Sequence, residues 1–144
     1  ATKTIHGLGL MPISTVMAQQ KTLIRAEGAH LPSRLKVRGY EIHHGQTEGM
    51  PLIPLVVRED GQIIGAETGK GNVWGTYLHG IFDADEFRRW FIDRLRVRRN
   101  LTPVGKVCAI YDLEPAYERL AEVVRRSLKM DEIYGVMGLR RTTG

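Results

Sequence analysis

Cysteine is almost missing: Cys108 stands alone among 144 residues. That excludes an internal disulfide and fits a reducing compartment, so a cytoplasmic protein is expected. No run approaches the roughly 18 consecutive apolar residues of a membrane span, and nothing at the start reads as a signal peptide, so no membrane partner is expected. Metal-ligand spacings are lacking too. The five histidines include no H-x-x-x-H pair, and adjacent His43 and His44, in a strand-like run, point to opposite faces and cannot share an ion. No metal site is expected. Aromatic residues make up only 7% of the chain and do not interleave with the basic ones, as a base-stacking platform requires. The net charge is +5, much of it from Arg88, Arg89, Arg94, Arg96, Arg98 and Arg99. These fall on or just after one expected helix, where cations complement the helix dipole without any partner. They read as a solvated face, and no nucleic acid is expected.

The 42% apolar and 26% charged residues belong to a globular chain long enough for its own core. Its character changes once. Up to residue 80, runs rich in Val, Ile and aromatics lie between Gly, Pro and Asp: "LKVRGYEIHHG" (35–45), "LIPLVVRED" (52–60), "GQIIGAET" (61–68) and "NVWGTYLHG" (72–80). These predict strands, with a hairpin at Asp60–Gly61 and a tight turn in "TGKGN" (68–72). From 83 onward the period is helical. Asp83 and Glu86 have capping-box spacing; Phe87, Trp90, Phe91 and Leu95 form one apolar stripe; Asp85 and Arg89 make an i,i+4 pair. A second helix starts near Pro115, burying Tyr117, Leu120, Val124 and Leu128, and a third runs from 131 to Gly138. The expectation is an α/β fold, mostly β in the first half and helical in the second. The strands have no convincing crossover helix between them, so they resemble part of a larger sheet.

His79 ends the last strand-like run. Alternation puts it with Val73, Gly75 and Tyr77 on one face, and Trp74, Thr76 and Leu78 on the other. Strand ends are where open α/β sheets bind ligands, and imidazole exchanges protons near neutral pH. A half-buried histidine that merely terminates a strand fits the same spacing. A base needs a nucleophile, and none is evident. Cys108, in "GKVCAIY", lacks the glycines of a nucleophile elbow and reads as a small buried residue; Ser14, Ser33 and Ser127 lack an elbow as well.

"GYEIHHGQT" (39–47) and "VWGTYLHGIFDADEFRRWF" (73–91) together resemble the glutamine amidotransferase domains of cobyric acid synthases. "GLGLMPISTVM" (7–17) and "KTLIRAEG" (21–28) are similar to the segment between nucleophile helix and later strands in that family. The resemblance runs from about 7 to 139, leaving 140–144 as a tail. It implies the C-terminal portion of a class I glutamine amidotransferase (flavodoxin-like) fold with a mostly parallel sheet. It also implies a cysteine–histidine mechanism in which a thiolate attacks the glutamine side-chain amide and releases ammonia. By motif match His79 is the histidine. Tyr40, Glu41, His44 and Gly45 flank the glutamine pocket as substrate-binding residues, or merely pack beside it. In that family the nucleophilic cysteine precedes the segment matching 7–17, so this chain alone is expected to be inactive. Many class I relatives carry His-x-Glu to orient the imidazole; here Ile81 takes the place of the acid, and Asp83 reads as a helix cap more than as a substitute.

The implied function is to supply ammonia from glutamine for ATP-dependent amidation of corrin carboxylates in cobalamin biosynthesis. No cofactor is expected in this segment. ATP and magnesium belong to a separate N-terminal synthetase domain, the expected partner together with the missing amidotransferase half. Related amidotransferases acting on cobyrinic acid or lipid-linked cell-wall precursors share parts of both motifs, and a non-catalytic scaffolding remnant of the fold is a further alternative.

Overall fold

A computed structural model describes residues 3–49, 52–69 and 71–139. The chain forms two compact units, Ala1–Ile110 and Tyr111–Gly144, so the stretch read as one portion, 1–139, comprises both. The 140–144 tail lies outside the described residues.

The first unit is a six-stranded sheet with one helix. Its strands are β1 (Ile13–His30), β2 (Leu35–Gly49), β3 (Ile53–Arg58), β4 (Ile63–Glu67), β5 (Trp74–Thr76) and β6 (Leu78–His79). A 3-10 turn over Ile81–Asp83 then leads into α1 (Asp85–Arg98). The order across the sheet is β5-β4-β3-β1-β2-β6, and every pairing is antiparallel. The mostly parallel sheet that the resemblance implied is not what these residues form. Parallel neighbours need a crossover of a dozen or more residues, whereas the connections here are a few residues long. Mixed α/β content is as expected.

The longest strand, β1, is the element the sequence hid. Pro12, Gln19, Gln20 and Lys21 interrupt any apolar alternation, and most β1 positions are exposed. Its pairing with β2 supplies the order instead, running from Ile13↔Gly49 to His30↔Leu35 with a register shift between Met17 and Thr22. The four residues 18–21 there oppose His44 alone. Such a bulge bends the ladder, and the outer half of the hairpin borders the same cleft as Pro54, Ile64 and Thr76. The expected β3–β4 hairpin is present, closed by Arg58 N–H to the Gln62 carbonyl at 2.9 Å. Thr68 N–H donates to the Val73 carbonyl across the "TGKGN" turn at 3.2 Å; Lys70 at its centre is outside the described residues.

Val37, Leu55, Val56, Ile64, Leu78, Ile81 and Phe87 are buried together. Phe87 from α1 fills the centre with no exposed surface, flanked by His30, Phe82, Trp90 and Phe91 rings at 4.9–6.3 Å. The expected stripe therefore packs through Phe87, Trp90 and Phe91, while Leu95 stays 44% exposed. The capping box does not form: Asp83 belongs to the 3-10 turn, and Ala84 precedes α1 without a side-chain cap. One extra tight turn moves the helix start to Asp85, beyond reach of the Asp83 carboxylate. Asp85 consequently pairs with Arg88 at 2.6 Å and Arg89 with Asp93 at 2.8 Å, in place of the expected Asp85–Arg89 pair.

The α1 arginines bind the chain itself. Arg88 donates to the Phe82 and Ala109 carbonyls, Arg96 to Thr102, and Arg98 to Gly71 and Asn72. Arg94 lies over Trp90. The basic surplus on this helix thus has a structural use. Asp93 accepts the Val104 and Gly105 N–H groups at 2.8 and 2.9 Å. Burial pushes its carboxyl up, and those two donors with Arg89 pull it below the ordinary carboxylate value.

His30 is a buried histidine whose Nδ1 accepts from the Ser33 hydroxyl at 2.7 Å. Burial first, and the Arg94 charge second, lower its pKa from 6.5 to about 4. Between those values the unfolded chain binds a proton that the folded chain refuses, so stability rises with pH in that window. Acidification from 6.5 to 4 is expected to cost up to about 3 kcal/mol through this residue. Urea midpoints across that range should show the slope, and His30→Gln should remove it.

The second unit holds α2 (Glu114–Ser127), with Pro115 in its first turn as expected, and α3 (Met130–Val136). Gly138 follows α3 at φ 70°, and the Leu139 N–H closes on the Tyr134 carbonyl at 2.9 Å, the anticipated stop. The expected burial on α2 is not found: Tyr117, Leu120, Val124 and Leu128 are exposed. A seven-residue neighbour helix offers too little surface to cover a four-turn stripe.

Candidate active site

β5 and β6 occupy opposite edges of the sheet, yet only Tyr77 separates them in sequence. Two residues of extended chain span at most about 7 Å, so the sheet must curl until its edges meet at Tyr77. The run 72–80, read as one strand, is therefore two. Tyr77 N–H donates to Ile64 of β4 at 2.9 Å, while the next residues pair with β2 as Leu78↔Glu41 and His79↔Tyr40. Switching partners within one residue is what breaks the strand.

His79 sits at this seam. Leu78 points into the core and is 3% exposed, whereas His79 is exposed on the other face, as alternation from Leu78 predicted. Its Nε2 lies 3.2 Å from the Ile42 carbonyl. The register puts Tyr40, and beyond it Arg25 of β1, on the same open face. Arg25 is a neighbour the sequence could not announce, because the strand that carries it, β1, shows no apolar alternation.

Two glycines place the imidazole. Gly80 has φ 79°, the left-handed conformation that turns the chain from β6 into the 3-10 turn. Gly39 meets β6 more closely still: a Cβ there would lie 2.0 Å from the His79 carbonyl oxygen. The glycine opening "GYEIHHG" is thus a positioning residue that motif reading passed over.

The remaining motif residues divide between the faces. Glu41 is 1% exposed, and its oxygens accept from His43 Nε2–H at 2.8 Å and Arg58 at 2.6 Å. Both are spent on internal partners, so Glu41 does not front the open surface. His43 Nδ1–H donates to the Gly45 carbonyl at 2.6 Å, and its ring stacks on Tyr77 at 3.9 Å. Gly45 is buried, its carbonyl taken by His43, while His44 is exposed in the bulge. Arg58 continues to Asp60 and Gln62. The Arg58 hydrogen bond foremost, then the Gln62 N–H, holds the Asp60 carboxyl down at about 2. Tyr77 also joins Thr47 and Thr15 in a chain of hydroxyls. These border a cleft of about 640 Å³ that takes in neither His79 nor Tyr40.

Cys108 corrects an expectation: it is exposed, in a segment without regular structure where no flanking strand buries it. Its thiol donates only to the Lys106 carbonyl, at 3.5 Å. Asp83 makes no hydrogen bond or ion pair with His79 among the described residues; its N–H donates to Gly80. Ile81 is core. Among the described residues no three His, Cys, Asp or Glu side chains are grouped to hold a metal ion, and no helix is long and apolar enough to cross a membrane.

An exposed imidazole at a strand exit, anchored on the "YEIHHG" strand, is the geometry against which the comparisons gain weight. The chain is 44% identical over 94% of its length to cobyric acid synthase from Nitratidesulfovibrio vulgaris, covering 31% of that protein. It is 41% identical over 94% of its length to the adenosylcobalamin biosynthesis bifunctional protein CobDQ of Leptospira interrogans, covering 16%. Cobyric acid synthase from Citrobacter koseri is 39% identical over 96% of this chain and is covered to 30%. The chain thus spans less than a third of the length of these curated relatives. Residues 1–87, which contain β1 to β6 and the start of α1, match the family model for CobB/CobQ-like glutamine amidotransferase domains. With the motifs, the seam and that match in agreement, the chain belongs to the CobB/CobQ-like glutamine amidotransferase domain family.

Proposed function

We propose that this chain is the histidine-bearing part of a glutaminase domain in a cytoplasmic cobyric acid synthase, supplying ammonia for ATP-dependent amidation of corrin carboxylates. The observation that carries the reading is the exposed His79 imidazole, held at the sheet seam by the Ile42 carbonyl at 3.2 Å, within the family match. Tyr40 lies beside it on the open face, available to a bound glutamine. ATP and magnesium act in the synthetase part.

The chemistry needs a thiolate, and Cys108 is a poor source: it is exposed in a segment without regular structure, away from the nucleophile elbow that such chemistry uses. The nucleophile is assigned to polypeptide outside this sequence. His79 takes the thiol proton, and the thiolate attacks the amide carbon of glutamine. When the carbon–nitrogen bond breaks, His79 returns that proton to the departing ammonia, leaving a γ-glutamyl thioester. His79 next takes a proton from water as it attacks the thioester. The carbon–sulfur bond breaks, glutamate leaves and the thiol is restored, so glutamine and water yield glutamate and ammonia.

Ammonia release from glutamine by the complete protein tests this. Cys108→Ser is expected to retain turnover within about twofold, since an exposed loop substitution rarely disturbs a fold. Loss of turnover in a folded Cys108→Ser protein would move the nucleophile to Cys108 and overturn the assignment.

A further inference from the structure

We propose that the Ile42 carbonyl does for His79 what a carboxylate does in acid-bearing triads, with the buried Glu41–His43–Arg58 cluster fixing that carbonyl in place. This rests on His79 being the proton-transfer group. An imidazole that must take and return one proton needs its other nitrogen held by an acceptor, which sets both tautomer and ring orientation. Ile81, two residues on, is apolar core, and among the described residues Asp83 makes no hydrogen bond or ion pair with the ring, its N–H donating to Gly80. The acceptor present is the Ile42 carbonyl, 3.2 Å from Nε2. It receives Nε2–H and leaves Nδ1 as the atom that exchanges protons.

The strand break explains why this carbonyl is available. Continuing the β2–β6 register would bring Tyr77 opposite Ile42, but the Tyr77 N–H is turned to Ile64 of β4. Among the described residues Ile42 therefore lacks a strand partner on that side, and the imidazole occupies the position. Ile42 lies inside β2, two residues before the bulge position His44, and its carbonyl holds one direction only if its flanking residues cannot rotate. Glu41 on one side is anchored by Arg58 and His43. His43 on the other is held at both ring nitrogens and stacked on Tyr77. The residues before and after Ile42 are thus pinned to one another across the buried face. Glu41 and His43 are positioning residues, acting on the Ile42 carbonyl from the buried face.

Ring-nitrogen NMR of the ¹⁵N-histidine-labelled complete protein tests this, with His79→Gln identifying the His79 signals. Wild-type neutral His79 is expected as the Nε2–H tautomer. Glu41→Gln, which keeps the shape and removes the charge, should shift it toward a mixture. His43→Phe, which keeps the stack and removes both donors, should do the same. In both, glutaminase kcat should fall about tenfold or more with KM nearly unchanged, since tautomer loss affects chemistry more than binding. An Nδ1–H wild type overturns the proposal without any variant, as does an unchanged tautomer in whichever variant folds. If His79→Ala leaves glutaminase intact, the proton-transfer reading fails, and the wild-type tautomer still decides whether the carbonyl holds the ring.

Discussion

Replacing His79 with alanine in the complete protein is expected to lower glutaminase turnover by about 10²–10⁴-fold, the usual contribution of a positioned acid–base group. His79 is exposed at the end of β6 and packs no core, so the variant should unfold at the wild-type temperature within a few degrees. The imidazole hydrogen bond to Ile42 is exposed and worth about 1 kcal/mol. KM for glutamine should change little, because the imidazole acts on the transition state more than on bound substrate. The amidation reaction should survive when ammonia is supplied directly, since only its generation from glutamine is removed. Turnover near wild type in a folded His79→Ala protein would place the proton transfer elsewhere.

Gly39→Ala is expected to have the next largest effect although it alters no functional group. The added methyl would sit 2.0 Å from the His79 carbonyl oxygen and 3.1 Å from its carbon. Those are backbone atoms of a strand paired to β2, so no side-chain rotation relieves the overlap. β6 must move away by an ångström or more. Misplacement of that size costs about 10²-fold in rate when the displaced group acts on the reacting atoms. Overpacking adds about 1–3 kcal/mol of instability. Thermal unfolding and glutaminase assays separate the two. Full activity in Gly39→Ala would mean that His79 does not need the position β6 gives it.

These two residues differ in how readable they were. His79 could be proposed from "GTYLHG" because strand alternation and the following turn are local properties. Gly39 could not, because what crowds it is a strand 40 residues further along. Glu41 shows the same limit from the other side. A glutamate beside a pocket motif suggests a wall residue, but its burial against Arg58 depends on β3 pairing with β1, which lets the Arg58 side chain reach Glu41 on the inner face. Asp83 and Glu86 had the spacing of a cap, and a single 3-10 turn, with Ile81 buried and Phe82 packed on Phe87, moved the helix start to Asp85, past Asp83.

By itself the sequence determined the strand-to-helix change near residue 80, the hairpin at Asp60–Gly61, the three helices, and the histidine at a strand exit within its family's motifs. Each depends on residues a few positions apart, where periodicity and turn chemistry act. The tertiary structure alone decided that β5 and β6 lie at opposite edges and meet at Tyr77, that β1 is the longest strand, and that the Ile42 carbonyl is left to the imidazole. Those outcomes follow from closing a curled antiparallel sheet, in which a pairing between residues 37 positions apart is settled by the strands around it.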